Sequence, residues 1–383
     1  MRKKVIFLDQ GETLGGAERY LLDFLNSLSV AEKRQICPMI FSAATKKYAS
    51  YLRGGIKLKK FHFSSFKGNF LVRGFRLFQL LVASKKLALA LKREQPDLVV
   101  ANTPRSILTF FFARKFFFLK KKFIFIVHDY TIPIFLLRAV SRIAASIIVV
   151  SVSARNFIKK NIDRQNHYKV KIIDNGIDFR TLPAAKVSTK ITKIVLLGRM
   201  DPRKGQHFLL EVARQMIDSD PQLRFFLVGS PYSYDKATVK YAKKITQRAQ
   251  KLKLANFQML PEVLEPFRIM REGDLVLSLP TEDETFGRVV SEGLSVGSFV
   301  LAFDRSGPRE ILNNFAKFCS LSTKPNPLLI EPNSIEDIIS KIKFFASRPD
   351  LVKLISQQGR KFTEKNYNLR ETKKQFLKVL LED

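Results

Sequence analysis

Residues 274–303 read DLVLSLPTEDETFGRVVSEGLSVGSFVLAF, two apolar runs separated by a polar loop and a helical pattern. Asp274–Leu279 and Ser298–Phe303 show no polar alternation, which is the pattern of strands buried on both faces of a parallel sheet. Phe286-Gly287 falls where a helix between them should start, so the stretch reads as strand, helix, parallel strand. Glu284 and Glu292 bracket seven residues across that helix start. At about 3.6 residues per turn the second lies roughly two turns on and nearly realigns with the first. A Gly lets a ligand approach the backbone, and the free N–H groups of a helix start favour anions and oxygen-rich groups. Two carboxylates flanking such a turn suit the hydroxyls of a ribose and a second sugar. They equally suit a solvated helix surface.

The same alternation runs outward along the whole chain. VIFL (5–8), QICPMIF (35–41), DLVVA (97–101), KFIFIV (122–127), SIIVV (146–150) and VKIID (170–174) read as one series of strands. KIVLLG (193–198), LRFFLVG (223–229), NFQML (256–260) and the two runs above read as a second. Strands alternating with helical patterns predict an α/β protein with two doubly wound, Rossmann-like domains. At 383 residues the chain is too long for one ordinary core. The expected domains are 1–178 and 191–383, with the last helix able to pack back on the first. The join is 179–190, FRTLPAAKVSTK, which is polar, unperiodic and contains a proline. Ligands of such sheets bind beyond the carboxyl ends of the strands, so the cleft between the domains is the expected site.

Composition bounds the partners. The chain carries 67 Lys and Arg against 34 Asp and Glu, a net +33. Residues 1–178 hold 33 of the cations and 11 of the anions, a balance of +22, so the excess is mainly in the first half. Such a field attracts polyanions or an anionic membrane leaflet. Cys37 and Cys319 are far apart, which argues against a disulfide framework and for a reducing compartment. MRKKVIFLDQG begins like a signal peptide, but its apolar run stops at Leu8 and Asp9 follows, so it reads as a first strand. No charge-free run approaches the roughly 18 residues of a spanning helix. The expected location is the cytoplasm, with a peripheral seat on the inner face of the membrane.

The loops after the strands carry the candidate chemistry. Gly15-Gly16 precedes a helix and can present N–H groups to a phosphate, or simply form a capped turn. It is not the dinucleotide GxGxxG pattern, and no GxxxxGK[ST] loop exists. His128-Asp129 ends an apolar strand, which fits a ligand cleft or a satisfied core histidine. No metal-ligand spacing surrounds it. Asn175-Gly176 is a turn signal before the join. In LLGRMDPRKGQHFLLEV, Arg199 follows the strand-ending Gly198, and Lys204-Gly205 precedes a helix whose start Asp201-Pro202 marks. A forked Arg and a mobile Lys at a helix start make a diphosphate clamp.

Together GGAER (15–19), HD (128–129), NGID (175–178), GRMDPRKG (198–205), E-x7-E (284–292) and SGPREI (306–311) resemble the retaining GT-B-fold glycosyltransferases. The closest group is the family 4-like, group 1 enzymes, which include bacterial mannosyl- and glucosyltransferases. The resemblance spans residues 5 to about 320, with its motifs in order. It implies a GT-B fold and a nucleotide-diphosphate sugar held mostly by the second domain. Arg199 and Lys204 would hold the diphosphate, Glu292 the ribose, and Glu284 with the Phe286-Gly287-Arg288 backbone the donor sugar. Gly15 and Gly16 would approach the β-phosphate, and His128 would sit beside the reacting carbon and the acceptor. No metal or other cofactor is implied. Retention would proceed by same-face attack, the departing phosphate taking the acceptor's proton. Three positions depart from the family pattern: Gly293 after Glu292, Arg288 after Phe-Gly, and Val296-Gly297-Ser298-Phe299 in place of Cys-Gly-x-Pro.

The acceptor is expected to be a lipid-linked or cell-surface glycan. From Phe70 on, residues 57–94 read as a helix with Leu71, Phe75, Phe78, Leu81 and Val82 roughly on one face, among Arg73, Arg76, Lys85 and Lys86. A basic helix with Phe can lie in a membrane interface. LTFFFARKFFFLKKK (108–122) adds six Phe and five cations. The competing reading puts the Phe in the core and the cations in water. No motif specific for nucleic acid appears. A second class remains open, a non-catalytic polyanion-binding protein on the same scaffold; intact Glu284, Glu292, Arg199 and Lys204 favour the enzyme.

Overall fold

The computed structural model describes every residue except 1, 11–14, 64–69, 233–234, 264, 322–324 and 383, and the side chains of 47 and 70–75. It divides into two units, Met1–Gly176 with Leu369–Asp383, and Ile177–Asn368. The first contains β1 (Val5–Leu8), β2 (Met39–Ser42), β3 (Lys57–Lys60), β4 (Leu98–Ala101), β5 (Lys122–Val127), β6 (Ser146–Val149) and β7 (Val170–Ile172). Its helices are α1 (Gly16–Ser27), α2 (Val30–Ile36), α3 (Thr45–Tyr51), α4 (Phe70–Glu94), α5 (Pro104–Phe116), α6 (Ile134–Ile143) and α7 (Val152–Asn161). The second unit contains β8 (Lys193–Leu197), β9 (Arg224–Val228), β10 (Phe257–Leu260), β11 (Leu275–Ser278), β12 (Phe299–Phe303) and β13 (Leu329–Ile330). Its helices are α8 (Gln206–Met216), α9 (Lys236–Leu252), α10 (Pro266–Glu272), α11 (Arg288–Ser295), α12 (Ser306–Phe318), α13 (Ile335–Ala346) and α14 (Pro349–Asn366). The last helix, α15 (Leu369–Glu382), belongs to the first unit.

Both sheets are wholly parallel, with the orders β3-β2-β1-β4-β5-β6-β7 and β10-β9-β8-β11-β12-β13. Each order grows outward from its first strand and then reverses, at β1/β4 and at β8/β11. That reversal opens a crevice beyond the carboxyl ends of the two middle strands, where open α/β sheets take their ligands. The central strands β1, β4, β6, β11 and β12 are buried along their whole length, as their unbroken apolar sequences require.

Three local readings need correction. QICPMIF is not one strand: residues 30–36 form α2, and only Met39–Ser42 pair. Ser29 and Glu32 close a capping box, Cys37 turns left-handed at φ 36°, and Pro38 ends the helix. KLKK and LI were not read as strands, yet they form the edge strands β3 and β13; edges tolerate lysine and short length. Asp201-Pro202 opens a separate 3-10 turn over Pro202–Lys204, and Gly205, at φ 70°, caps the following α8.

Aromatic packing ties α15 into the first unit. Phe376 lies with ring centroids 4.3 Å from Phe24, 5.9 Å from Tyr20 and 6.5 Å from Phe7. Residues 179–190 are stitched into the second unit. Lys186 donates from its backbone to the Val296 carbonyl, and Ser188 binds Ser356 and the Asp274 carbonyl. The buried Asp274 carboxylate gathers Lys186 Nζ at 2.6 Å, Thr192 Oγ1 at 2.7 Å, and the N–H groups of Thr192 at 3.0 Å and Lys193 at 2.9 Å. Burial opposes its ionisation, but Lys186 and these donors hold it below its ordinary range.

Asp274→Asn is therefore expected to destabilise the second unit at neutral pH by about 3 kcal/mol, the scale for breaking a buried charged cluster. A carboxyl depressed on folding contributes stability that is present above its unfolded pKa, here 3.8, and is lost as pH falls through the folded value. The gap between wild type and variant in urea melts should thus be full at pH 7 and shrink below pH 4.

Candidate functional site

In the second unit the site grows from the β8/β11 reversal. Arg199 follows β8, and its guanidinium stacks 4.1 Å from the centre of the Tyr232 ring, which follows β9. Arg199 Nη2 donates to Asp201 Oδ2 at 2.8 Å, and Arg203 reaches both oxygens of the same carboxylate at 3.0 and 2.7 Å. Burial works against the Asp201 charge, but Arg203 and Arg199 hold it well below the usual carboxylate range. Gln206 Nε2 donates to the Arg199 carbonyl at 2.7 Å. Lys204, on the 3-10 turn, binds Glu284 from the loop after β11, so this ion pair bridges the reversal point. The two loops are further joined by the Thr281 N–H donating to the Arg203 carbonyl at 3.0 Å. Gly205 is required here: a Cβ on it would lie 2.1 Å from the Leu279 carbonyl oxygen.

The loop from Glu284 to Gly287 is held from behind by the start of α12. The Gly307 N–H donates to the Glu284 carbonyl at 2.9 Å, and Pro308 packs under Gly287. The SGP of SGPREI thus has a mechanical role, and Gly307 leaves room for the Phe286 carbonyl, which a Cβ would meet at 2.3 Å. The Phe286 side chain is buried, edge-on to Tyr367 at 5.4 Å, so only its backbone faces a ligand role. Gly287, at φ 92°, caps α11. Arg288, the first residue of that helix, donates from Nε to Glu292 Oε1 at 2.9 Å. Both side chains are mostly shielded, so this unusual Arg orients the second Glu of the pair. Gly293 lets α11 sit close on the sheet, 3.0 Å from Val300 Cγ2 by its would-be Cβ.

In the first unit the site residues cluster at β1/β4/β5. Gly15 caps α1, and its N–H donates to the Glu18 carboxylate at 2.8 Å; Gly16 begins the helix. His128 follows β5, half-buried, with Nε2 2.8 Å from Asn102 Oδ1 and its ring 5.1 Å from Tyr20. Asn102 follows β4 and also binds the buried Asp9 at the end of β1. Among the described residues there is no cluster of three or more His, Cys, Asp or Glu arranged to hold a metal.

The fold brings Arg199, Lys204, Glu284, Phe286, Gly287, Arg288 and Glu292 into one unit, and Gly15, Gly16 and His128 into the other. Arg203, Tyr232 and Asn102 were not singled out from the sequence, and Asp201 and Asp9 were read only as the marks of a helix start and a strand end. The strand-end rule covers all five: Asp9 and Asn102 directly follow β1 and β4, Asp201 and Arg203 lie in the segment after β8, and Tyr232 lies in the loop after β9.

Two family models match this chain: Glycosyltransferase Family 4 over residues 14–180 and Glycosyl transferases group 1 over residues 180–362. A search of curated proteins found no match. Among solved structures, HepE from Anabaena, determined with UDP and glucose, is similar over 99% of each chain at 21% identity and a TM-score of 0.79. A glycosyltransferase from Rickettsia africae covers 100% of this chain and 98% of its own at 20% identity and a TM-score of 0.75. Sucrose-phosphate synthase from Thermosynechococcus elongatus covers 100% and 99% at 14% identity and a TM-score of 0.76. The fold is therefore GT-B. With the two models meeting at residue 180, the chain belongs to the group 1, family 4-like glycosyltransferases.

Gly287→Ala tests the loop geometry directly. The variant adds a Cβ at positive φ and places it 2.9 Å from Pro308 Cγ. It is expected to cost about 2 kcal/mol of stability, within the range for a non-glycine residue held in a sparsely populated conformation. Thermal or urea melts beside wild type read the loss; a neutral result would mean the loop is not pinned by α12.

Proposed function

We propose that the protein transfers a sugar, with retention of configuration, from a nucleotide-diphosphate sugar to a lipid-linked or cell-surface glycan. The Lys204–Glu284 pair across the β8/β11 reversal, beside the Arg199–Asp201–Arg203 cluster, is the observation that carries this reading. Arg199 offers a preoriented fork and Lys204 a mobile point charge, which together meet a diphosphate. As the sugar–phosphate bond breaks, negative charge grows on the leaving diphosphate, and fixed cations in a shielded site stabilise it most at that moment. Donor binding exchanges the Lys204–Glu284 pair for two new ones: Lys204 turns to phosphate and Glu284 to sugar hydroxyls. Glu292, held by Arg288 through one oxygen, gives the other to the ribose. Gly16, at the helix start that Gly15 caps, approaches the β-phosphate, and His128 stands on the acceptor side. The diphosphate charge is met by Arg199 and Lys204, so no metal is assigned a role. HepE, similar in fold, was solved with UDP-glucose, which makes uridine diphosphate sugars the first donors to test.

A thermal-shift panel of nucleotide sugars tests donor binding, since a ligand at 100 times its Kd stabilises by about 2.7 kcal/mol. Lys204→Ala and Arg199→Ala should each lower transfer by roughly 10- to 150-fold, the equivalent of about 1.5–3 kcal/mol for a charged contact. Melting curves of both variants should stay cooperative. Undiminished transfer in both would sink the clamp.

We further propose that the first unit docks on an anionic membrane face, as a peripheral enzyme on the cytoplasmic side. No described helix is long and apolar enough to cross a membrane. On α4, Leu80, Ala83, Leu87, Ala88 and Leu91 are buried, while Phe78 is 64% exposed with Val82 and Leu89 also outward. The side chains of Leu71, Arg73 and Phe75, read on the same face, lie outside the described residues. The neighbouring α5 and its following turn split their aromatics: Phe110 is core, Phe118 is 79% exposed. Lys85, Lys86, Lys92, Arg93 and Lys115 are exposed among them. Amphipathic basic surfaces of this kind enter the headgroup layer.

Flotation with phosphatidylserine-containing vesicles should recover wild type but not a Lys85, Lys86, Lys92, Arg93→Gln variant. At about 1 kcal/mol per cation near the surface, that variant should bind on the order of 1000-fold more weakly. Binding that ignores salt or vesicle charge would defeat the idea, and tighter binding to RNA at physiological salt would favour a polyanion-binding role.

A further inference from the structure

We propose that Asn102, itself held by the buried Asp9 carboxylate, is a positioning residue that fixes His128 as the Nε2–H form of neutral imidazole. The use of this form rests on the acceptor-side reading of His128 above. The geometry behind it is independent of that reading.

Neighbouring strands deliver the three residues. β1 and β4 pair in register with Leu8 opposite Ala101, so Asp9 and Asn102 emerge side by side. β4 pairs with β5, with Ala101 opposite Phe125, and β5 runs on to Val127 before His128. Asp9 and Asn102 are fully buried. Asn102 Nδ2 donates to Asp9 Oδ1 at 2.9 Å and to the Ala17 carbonyl at 3.0 Å. A carboxylate and a carbonyl accept only, so the amide nitrogen must face them, and the orientation of Asn102 is settled by chemistry. Its Oδ1 then faces His128 Nε2 at 2.8 Å. An amide oxygen cannot donate, so the ring nitrogen carries the hydrogen.

The far end of the chain is closed in the same sense. The other Asp9 oxygen accepts from the Tyr48 hydroxyl. Burial, and then the charges of Asp9 and Glu18, push the Tyr48 phenol well above its ordinary range, so it stays a donor. Tyr48, Asp9, Asn102 and His128 thus form one directed hydrogen-bond chain, and Tyr20 meets the imidazole edge-on at 5.1 Å. With Nε2 committed inward, Nδ1 is the ring's lone-pair nitrogen. In the transfer reaction the imidazole so fixed orients the incoming hydroxyl; the hydroxyl proton still leaves with the departing phosphate.

The test is long-range 1H–15N correlation on the full chain labelled with 15N-histidine. The sequence holds four His, and a His128→Gln sample assigns the signal. Wild type at a pH where imidazole is neutral should show a single Nε2–H tautomer for His128. Asn102→Ala should give a tautomer mixture and at least a tenfold lower kcat, with donor binding changed less than twofold. Asp9→Asn keeps an acceptor oxygen for Asn102 and should retain the Nε2–H signature; it serves if the alanine variant does not fold. An Nδ1–H signal or a mixture in wild type would overturn the proposal, as would an unchanged tautomer in Asn102→Ala. Full transfer by His128→Ala would instead overturn the acceptor-side role of His128, a result the spectrum alone does not give.

Discussion

Parallel strands joined by right-handed crossovers leave one place on each sheet where successive helices turn to opposite faces. Here that place is β1/β4 in one unit and β8/β11 in the other. Two of the polar constellations described above are delivered there. Asp9 and Asn102 leave adjacent strands at the first reversal, and the Lys204–Glu284 pair joins loops across the second. The central strands are buried and apolar, so they contribute no chemistry. They contribute register, which sets neighbouring strand ends side by side and fixes which residues can meet.

Buried carboxylates then lock the loops. Asp274 collects Lys186, Thr192 and the Lys193 N–H, Asp201 collects Arg199 and Arg203, and Glu292 is gripped by Arg288. A charge moved out of water is tolerated only when its partners come with it. Asp274 draws its neighbours from a distant stretch of chain, whereas Asp201 ties together its own loop and Glu292 the first turn of its own helix; Asp274 and Asp201 are depressed in pKa as a result. Glycines complete the arrangement where no side chain fits: Gly205 beneath Leu279, Gly287 over Pro308, and Gly297 against the Lys186 carbonyl. The surface of the first unit follows a different logic, with Phe78, Phe118 and Phe135 left outward among cations in a chain of net +33.

Long apolar runs were readable because a strand buried on both faces has no other sequence it can use. The strands from 122 to 127 and from 193 to 197 appear where those runs lie. The edge strands β3 and β13 were not readable, since an edge needs no apolar sequence, and KLKK looks like solvated lysine until β2 is beside it. The end of α2 was absorbed into a strand because Ile36, Cys37 and Met39–Phe41 are apolar enough together, and only the left-handed Cys37 and Pro38 separate them. At the site, Arg199, Lys204 and Glu284 stood out by position after a strand. Of their partners, Asp201 was read only as a helix-start marker, and Tyr232 was missed because partnership across loops has no fixed spacing.

By itself the sequence determined the fold class, the two strand series, the family motifs and the basic excess of the first half, because these rest on local composition and period. Only the tertiary structure decided which charges meet. It paired Lys204 with Glu284 across 80 residues, turned Arg288 onto Glu292, and sent α15 into the first unit through Phe376. It also made Asn102, a plain residue in ANTPRS, the hinge between a buried Asp and a histidine. The reason is that hydrogen bonds and ion pairs act over about 3 Å in space and carry no record of separation along the chain.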